Sequence, residues 1–92
     1  MIDRNLAAGT DDSRLNMEAG VILVGLGRDA DAAVRFKRVL LTDPDSPNAL
    51  YNAGTILFQI GEPDEGRGLL RRFLQLHPDH PYATYARQQL EQ

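Results

Sequence analysis

The sequence predicts an all-α fold of antiparallel helix pairs stacked side by side, and three observations predict it. Apolar residues recur at spacings of three and four rather than two. Prolines and glycines punctuate the chain at the intervals of short helices. Most tellingly, the chain repeats itself after 34 residues. Laid on 47–80 without gaps, residues 13–46 give the identities Ala19/Ala53, Gly20/Gly54, Ile22/Ile56, Leu23/Leu57, Gly27/Gly61, Arg38/Arg72, Leu40/Leu74, Pro44/Pro78 and Asp45/Asp79. Leu26/Ile60, Asp31/Glu65, Ala32/Gly66, Phe36/Leu70 and Val39/Phe73 keep their character. A fixed period of this length marks a supersecondary unit that buries its apolar face only by stacking on a neighbour.

Five helices follow in order. The first spans 13–26, with Asp12 as N-cap, Gly27 as the stop and Leu15, Ala19, Ile22, Leu23 and Leu26 forming its apolar stripe. The second covers 29–42, opening on Asp29 and Asp31 and ending before Pro44. Ser46 and Pro47 are an N-cap and first-turn pair for the third, which stops at Gly61. The fourth opens at Pro63 with Asp64 and Glu65 in its first turn and stops before Pro78. The fifth opens at Pro81 and carries Ala83, Ala86 and Leu90 to the end. Connections this short make successive helices antiparallel neighbours. Residues 1–12 fall outside the two copies and read as an N-terminal tail. Ile2, Leu6 and Ala7 there would suit a short helical turn packed on the first unit.

Composition bounds the function. A chain of 92 residues is one domain, small enough that a lone core would be marginal. Its apolar and charged fractions, 42% and 25%, are those of a soluble globular chain. A net charge of −3 argues against a general nucleic-acid binder. No apolar run approaches the roughly 18 residues of a membrane span, and no signal-peptide pattern occurs. The expectation is a soluble protein, cytoplasmic by default. The absence of cysteine excludes disulfides, thiolate catalysis and thiolate metal sites.

Each unit sets a small pair eight residues before a loop glycine. A small residue in the second helix follows, then two bulky apolar positions and a terminal proline. These are Ala19-Gly20, Gly27, Ala32, Phe36, Val39 and Pro44, then Ala53-Gly54, Gly61, Gly66, Leu70, Phe73 and Pro78. The pattern closely resembles the tetratricopeptide repeat, whose period is the same. Physically, Gly20 and Gly54 let the paired helices approach, with Ala32 and Gly66 as small partners. Phe36 and Phe73 fill the wedge between units. Asn16 and Leu50 stand where the family has a large aromatic, Leu23 and Leu57 where it prefers tyrosine, and Gly68 falls mid-helix on an exposed face. The resemblance implies a short right-handed α-solenoid. Residues 13–46 and 47–80 would be its repeats and 81–92 a capping helix, with Arg87, Gln88, Glu91 and Gln92 on the polar outer side.

In the resembled fold the first helix of each unit lines a concave groove. Mapped onto this chain, that face presents Arg14, Met17, Val21 and Val24, then Asn48, Tyr51, Asn52, Thr55 and Phe58, then Tyr82, Tyr85 and Gln89. Such a face suits apolar or aromatic side chains, with Asn52 placed to hold a peptide backbone. The implied function is non-enzymatic: docking of an extended or helical protein segment, with affinity on the order of micromolar. Tyr51→Ala is expected to remove binding and leave the fold intact. The alternative is an assembly element of a larger bacterial protein, with the groove filled by a second copy as a homodimer, by a neighbouring domain or by residues 1–12. Two repeats and a cap fall short of the usual three-repeat minimum, which favours some cover. Members that grip acidic chaperone tails use basic and Asn side chains. Here Met17, Tyr82 and Ala86 replace the bases and Val21 replaces one Asn, so acidic-tail capture is not expected.

Nothing else in the chain demands chemistry. His77, Asp79 and His80 fall in the run His77-Pro78-Asp79-His80-Pro81, an inter-helix turn short of a zinc donor set. Asp11, Asp12, Asp29, Asp31, Asp64 and Glu65 sit at helix starts, where capping and the helix dipole explain them. Arg35, Lys37, Arg38, Arg71 and Arg72 form a solvated convex face. Gly25-Leu26-Gly27-Arg28 lacks the strand and the Gly-Lys-Ser/Thr of a phosphate loop. No cofactor, metal or catalytic set is expected.

Overall fold

The protein was analysed as a computed structural model that describes residues 12–91. The expected N-terminal tail, Asp11 and Gln92 lie outside those residues. Five helices form: α1 (Ser13–Gly25), α2 (Asp29–Thr42), α3 (Pro47–Gln59), α4 (Pro63–Leu76) and α5 (Ala83–Leu90). Each packs chiefly on its neighbours in sequence. The result is an elongated stack of 49 × 26 × 21 Å and an all-α helical-repeat solenoid.

Local chemistry sets the helix ends. Asp12 accepts the Leu15 N–H at 3.1 Å, and Ser46 accepts the Ala49 N–H at 3.2 Å. Gly27 and Gly61 take φ of +78° and +88°, a region costly for any residue with a Cβ. Beyond them, the N–H groups of Arg28 and Glu62 donate to the Leu23 and Leu57 carbonyls at 2.8 Å. Both turns are Schellman closures, identical because the repeat placed glycine at the same point. The fifth helix starts at Ala83 rather than the expected Pro81. His80 holds the intervening residues in a turn, its Nδ1 accepting the Tyr82 N–H at 3.1 Å and its carbonyl the Ala83 N–H at 2.9 Å.

The small residues sit where helices cross. A Cβ on Gly20 would overlap the Phe36 ring, and one on Gly54 would lie 2.8 Å from Leu70 Cγ. On Gly66 it would lie 2.7 Å from the Gly54 carbonyl oxygen. The core is continuous. One cluster gathers Ala32, Ala33, Phe36, Ala53, Ile56 and Leu57, and the other Leu50, Leu70, Phe73, Ala83 and Ala86. Leu40 and Leu69 pack on both.

Two features depart from the sequence pattern. Asn16 is buried, accepting a hydrogen bond from Arg35 Nη1 at 3.1 Å, so one member of the basic cluster is turned inward. The apolar stripe of α1 is largely uncovered: Leu15, Ile22 and Leu26 are 46%, 61% and 67% exposed. Their repeat-mates Ala49 and Ile56 are 0% and 6% exposed, because α2 lies on that face of α3.

Candidate partner-binding groove

The face formed by α1, α3 and α5 carries two adjoining cavities. The larger, about 540 Å3, is lined by Tyr51, Thr55, Phe58, Gln59, Tyr85, Gln88 and Gln89. The smaller, about 260 Å3, is lined by Val21, Val24, Phe36, Tyr51, Asn52, Thr55, Ile56 and Gln59. Tyr51, Thr55 and Gln59 line both, so the cavities adjoin along α3 and are described together as a channel. Their spacing of four puts these three side chains in a row along α3. No lining residue carries a formal charge.

Aromatic packing and one polar bridge shape the channel wall. The Tyr51 ring packs at a tilt against buried Phe73 at 5.5 Å and against Tyr82 at 4.9 Å. Tyr82 continues to Tyr85 at 6.2 Å and to His80 at 5.3 Å, and His80 meets Phe73 edge-on at 5.2 Å. Gln89 Nε2 donates to Thr55 Oγ1 at 3.0 Å, tying α5 to α3. Behind the wall, the Arg67 guanidinium lies 5.5 Å from the Phe58 ring centre, a cation–π contact from α4.

Eight of the residues mapped from sequence line this channel: Val21, Val24, Tyr51, Asn52, Thr55, Phe58, Tyr85 and Gln89. The other four stand elsewhere. Arg14 is exposed and pairs with Glu18 at 3.8 Å, and Asn48 is exposed at the start of α3. Met17 packs inward against the first core cluster. Tyr82 joins the aromatic wall without lining either cavity. Gln59 and Gln88 were missed, although Gln59 is one turn beyond Thr55 and Gln88 three residues beyond Tyr85. Phe36, expected to fill the wedge between units, and Ile56 are buried in the core and also line the smaller cavity.

The His77–His80 turn uses its imidazoles internally. His77 Nε2 donates to the Asp45 carbonyl at 2.7 Å, and His80 Nδ1 accepts from the backbone as described. Among the described residues no group of three or more His, Cys, Asp or Glu is arranged to hold a metal ion. No helix among them is long and apolar enough to cross a membrane.

Stacked helix hairpins with glycine crossings and glycine C-caps are the architecture that the resemblance implied. A sequence model of the tetratricopeptide repeat matches residues 23–90, from the last turn of α1 to the end of α5. The chain belongs to the tetratricopeptide repeat family. No curated protein matches it. Tetratricopeptide repeats generally mediate protein–protein interaction and are generally non-enzymatic. Partners of such domains are generally proteins. Within the family pattern, the departures at Asn16 and Leu50 occupy equivalent buried sites, one satisfied by Arg35 and the other by apolar packing.

Proposed function

We propose that this tetratricopeptide repeat protein docks an extended or helical segment of a protein partner in the channel between α1, α3 and α5. The observation that supports the reading is the pair of adjoining uncharged cavities that share Tyr51, Thr55 and Gln59. An uncharged wall with aromatic rings and amides selects a segment that is itself uncharged along its contact face, anchored by apolar side chains and held by amide hydrogen bonds. A charged segment would lose hydration there without gaining an ion partner. The channel is short and open, so affinity on the order of micromolar is expected.

Tyr51 serves poorly to separate binding from folding, since its ring rests on buried Phe73. Tyr85, 55% exposed, and Thr55 at the channel centre are better probes. Peptides selected from a random displayed library on the wild-type chain are expected to bind Tyr85→Ala and Thr55→Arg at least tenfold more weakly, with Tm little changed. Selected peptides that bind all three proteins equally would remove the channel as the site. Light scattering across a concentration series tests the competing occupant. A stable dimer that Thr55→Arg dissociates would assign the channel to self-assembly instead.

A further inference from the structure

The face of α2 and α4 outside the channel holds a second binding surface: we propose that it docks an acidic protein segment anchored by one apolar side chain. Between these two helices lies a cavity of about 420 Å3 to which α1, α3 and α5 contribute no residue. Val34, Leu40, Leu41 and Leu69 give it an apolar lining, and Lys37, Arg38 and Glu65 complete it. Leu41 is 81% exposed and Val34 53%. Side chains so exposed add little to the core, yet here they line one cavity, where a leucine- or phenylalanine-sized side chain would take them out of water.

Charge defines the rest of the partner. The carboxylates of α2 and α4 are confined to the first turns, at Asp29, Asp31, Asp64 and Glu65. Beyond those turns Lys37, Arg38, Arg71 and Arg72 stand exposed, and neither helix carries another acid. The whole chain has a net charge of −3, so this surface is basic against the trend of the molecule. The arrangement also repeats. The five α2 residues of the cavity recur one period later as Gly68, Arg71, Arg72, Leu74 and Gln75, which line a more open depression on α4. Cations at both positions and the leucine are kept, while Val34 and Leu41 give way to Gly68 and Gln75. There is thus one place for an apolar anchor and two for carboxylates. Arg71 has no ion partner among the described residues. Lys37–Glu65 at 2.8 Å and Arg72–Asp45 at 2.6 Å are half-exposed pairs, weak enough for an incoming carboxylate to share the cation. Nucleic acid offers no aliphatic side chain for the cavity, and a flat anionic membrane would also meet the first-turn carboxylates. A protein segment with aspartate or glutamate beside a leucine-sized residue matches both halves of the surface.

The surface owes nothing to the channel, and the experiment keeps the two apart. Peptides are selected on the full chain from a displayed library in which aspartate and glutamate flank randomised positions. The selected peptides are expected to carry leucine, methionine or phenylalanine at the randomised core. Leu41→Asp, and the double variant Lys37→Glu with Arg71→Glu, should each weaken them about tenfold or more. Tyr85→Ala, altered in the channel, should bind them as the wild type does. Raising salt from about 0.05 M to about 0.5 M should weaken them about fivefold or more, and should spare uncharged channel peptides. Circular dichroism checks that each variant is folded, and Leu41→Asp decides if the double variant is not. Failure to enrich any acidic peptide would overturn the proposal. So would acidic peptides that Tyr85→Ala weakens and Leu41→Asp does not, because they would sit in the channel. Tighter binding of phosphatidylserine vesicles or of an oligouridylate through Leu41 and Arg71 would overturn it in favour of a membrane or RNA.

Discussion

Gly66 and Gly68 lie two residues apart in α4, and the same substitution has opposite signs at them. A methyl group at Gly66 would press on the Gly54 carbonyl at 2.7 Å and on the Phe58 backbone nitrogen at 3.1 Å. Backbone cannot swing aside as a side chain can, so Gly66→Ala is expected to cost about 3 kcal/mol through overpacking. A methyl group at Gly68 meets nothing within 4 Å. There alanine only restricts the unfolded chain and favours the helix, so Gly68→Ala should stabilise by about 0.5–1 kcal/mol. Denaturant titration of both variants checks the pair, and equal signs would contradict the crossing geometry. Phe73 and Leu57 are buried in the two core clusters. Phe73→Ala or Leu57→Ala should cost about 2–5 kcal/mol, enough to unfold a domain this small, as circular dichroism at 37 °C would register. Sequence spacing made Gly20, Gly54 and Gly66 readable as crossing points, because a repeated small pair has few other physical causes. It did not reveal that Asn16 is buried, because an asparagine inside a helix reads as polar surface until its Arg35 partner is placed beside it.

At the scale of the element, the helices were readable because their ends are made by local chemistry. Ser46 and Asp12 accept backbone N–H groups three residues ahead, and Gly27 and Gly61 adopt positive φ. Ser46→Ala leaves an orphan N–H at the start of α3 and should cost about 1 kcal/mol, measurable as a fall in Tm of roughly 4–8 °C. Pro81 misled because proline favours a first helical turn in general. Here the side chain and carbonyl of His80 capture the next two N–H groups, delaying α5 to Ala83. The α3 positions expected at the groove came from the family resemblance, and Gln59, one turn beyond Thr55, was not among them although it lines both cavities. Met17 was misplaced for a different reason: one step around α1 separates the groove from the core, and only packing decides which side a long flexible chain takes.

For the whole molecule, stacking along one axis makes stability a sum over neighbours. The end helix α5 has eight residues, too short to persist alone, and is anchored chiefly by Ala83 and Ala86 against α4 and α3. Amide exchange in α5 is therefore expected to be at least tenfold faster than in α3 and α4, where each helix is packed on both sides. Uniform protection through α5 would mean that the stack unfolds as a single unit. The surface ion pairs Lys37–Glu65 and Arg72–Asp45 are half-exposed and contribute little to this balance.

The sequence by itself determined the family, the helices, their caps and the positions where backbones must approach, because each of these follows from spacing or from contacts within a few residues. Which apolar residues are covered was decided by the tertiary structure. Ile22 and Ile56 are the same residue at the same point of the repeat, yet one is 61% exposed and the other 6%. Burial belongs to a pair of surfaces, and α3 has α2 upon it. Joining Tyr51, Thr55 and Gln59 with Tyr85 and Val21 into one uncharged channel was likewise a matter of helix packing, since those side chains come from three helices that the period places but does not aim.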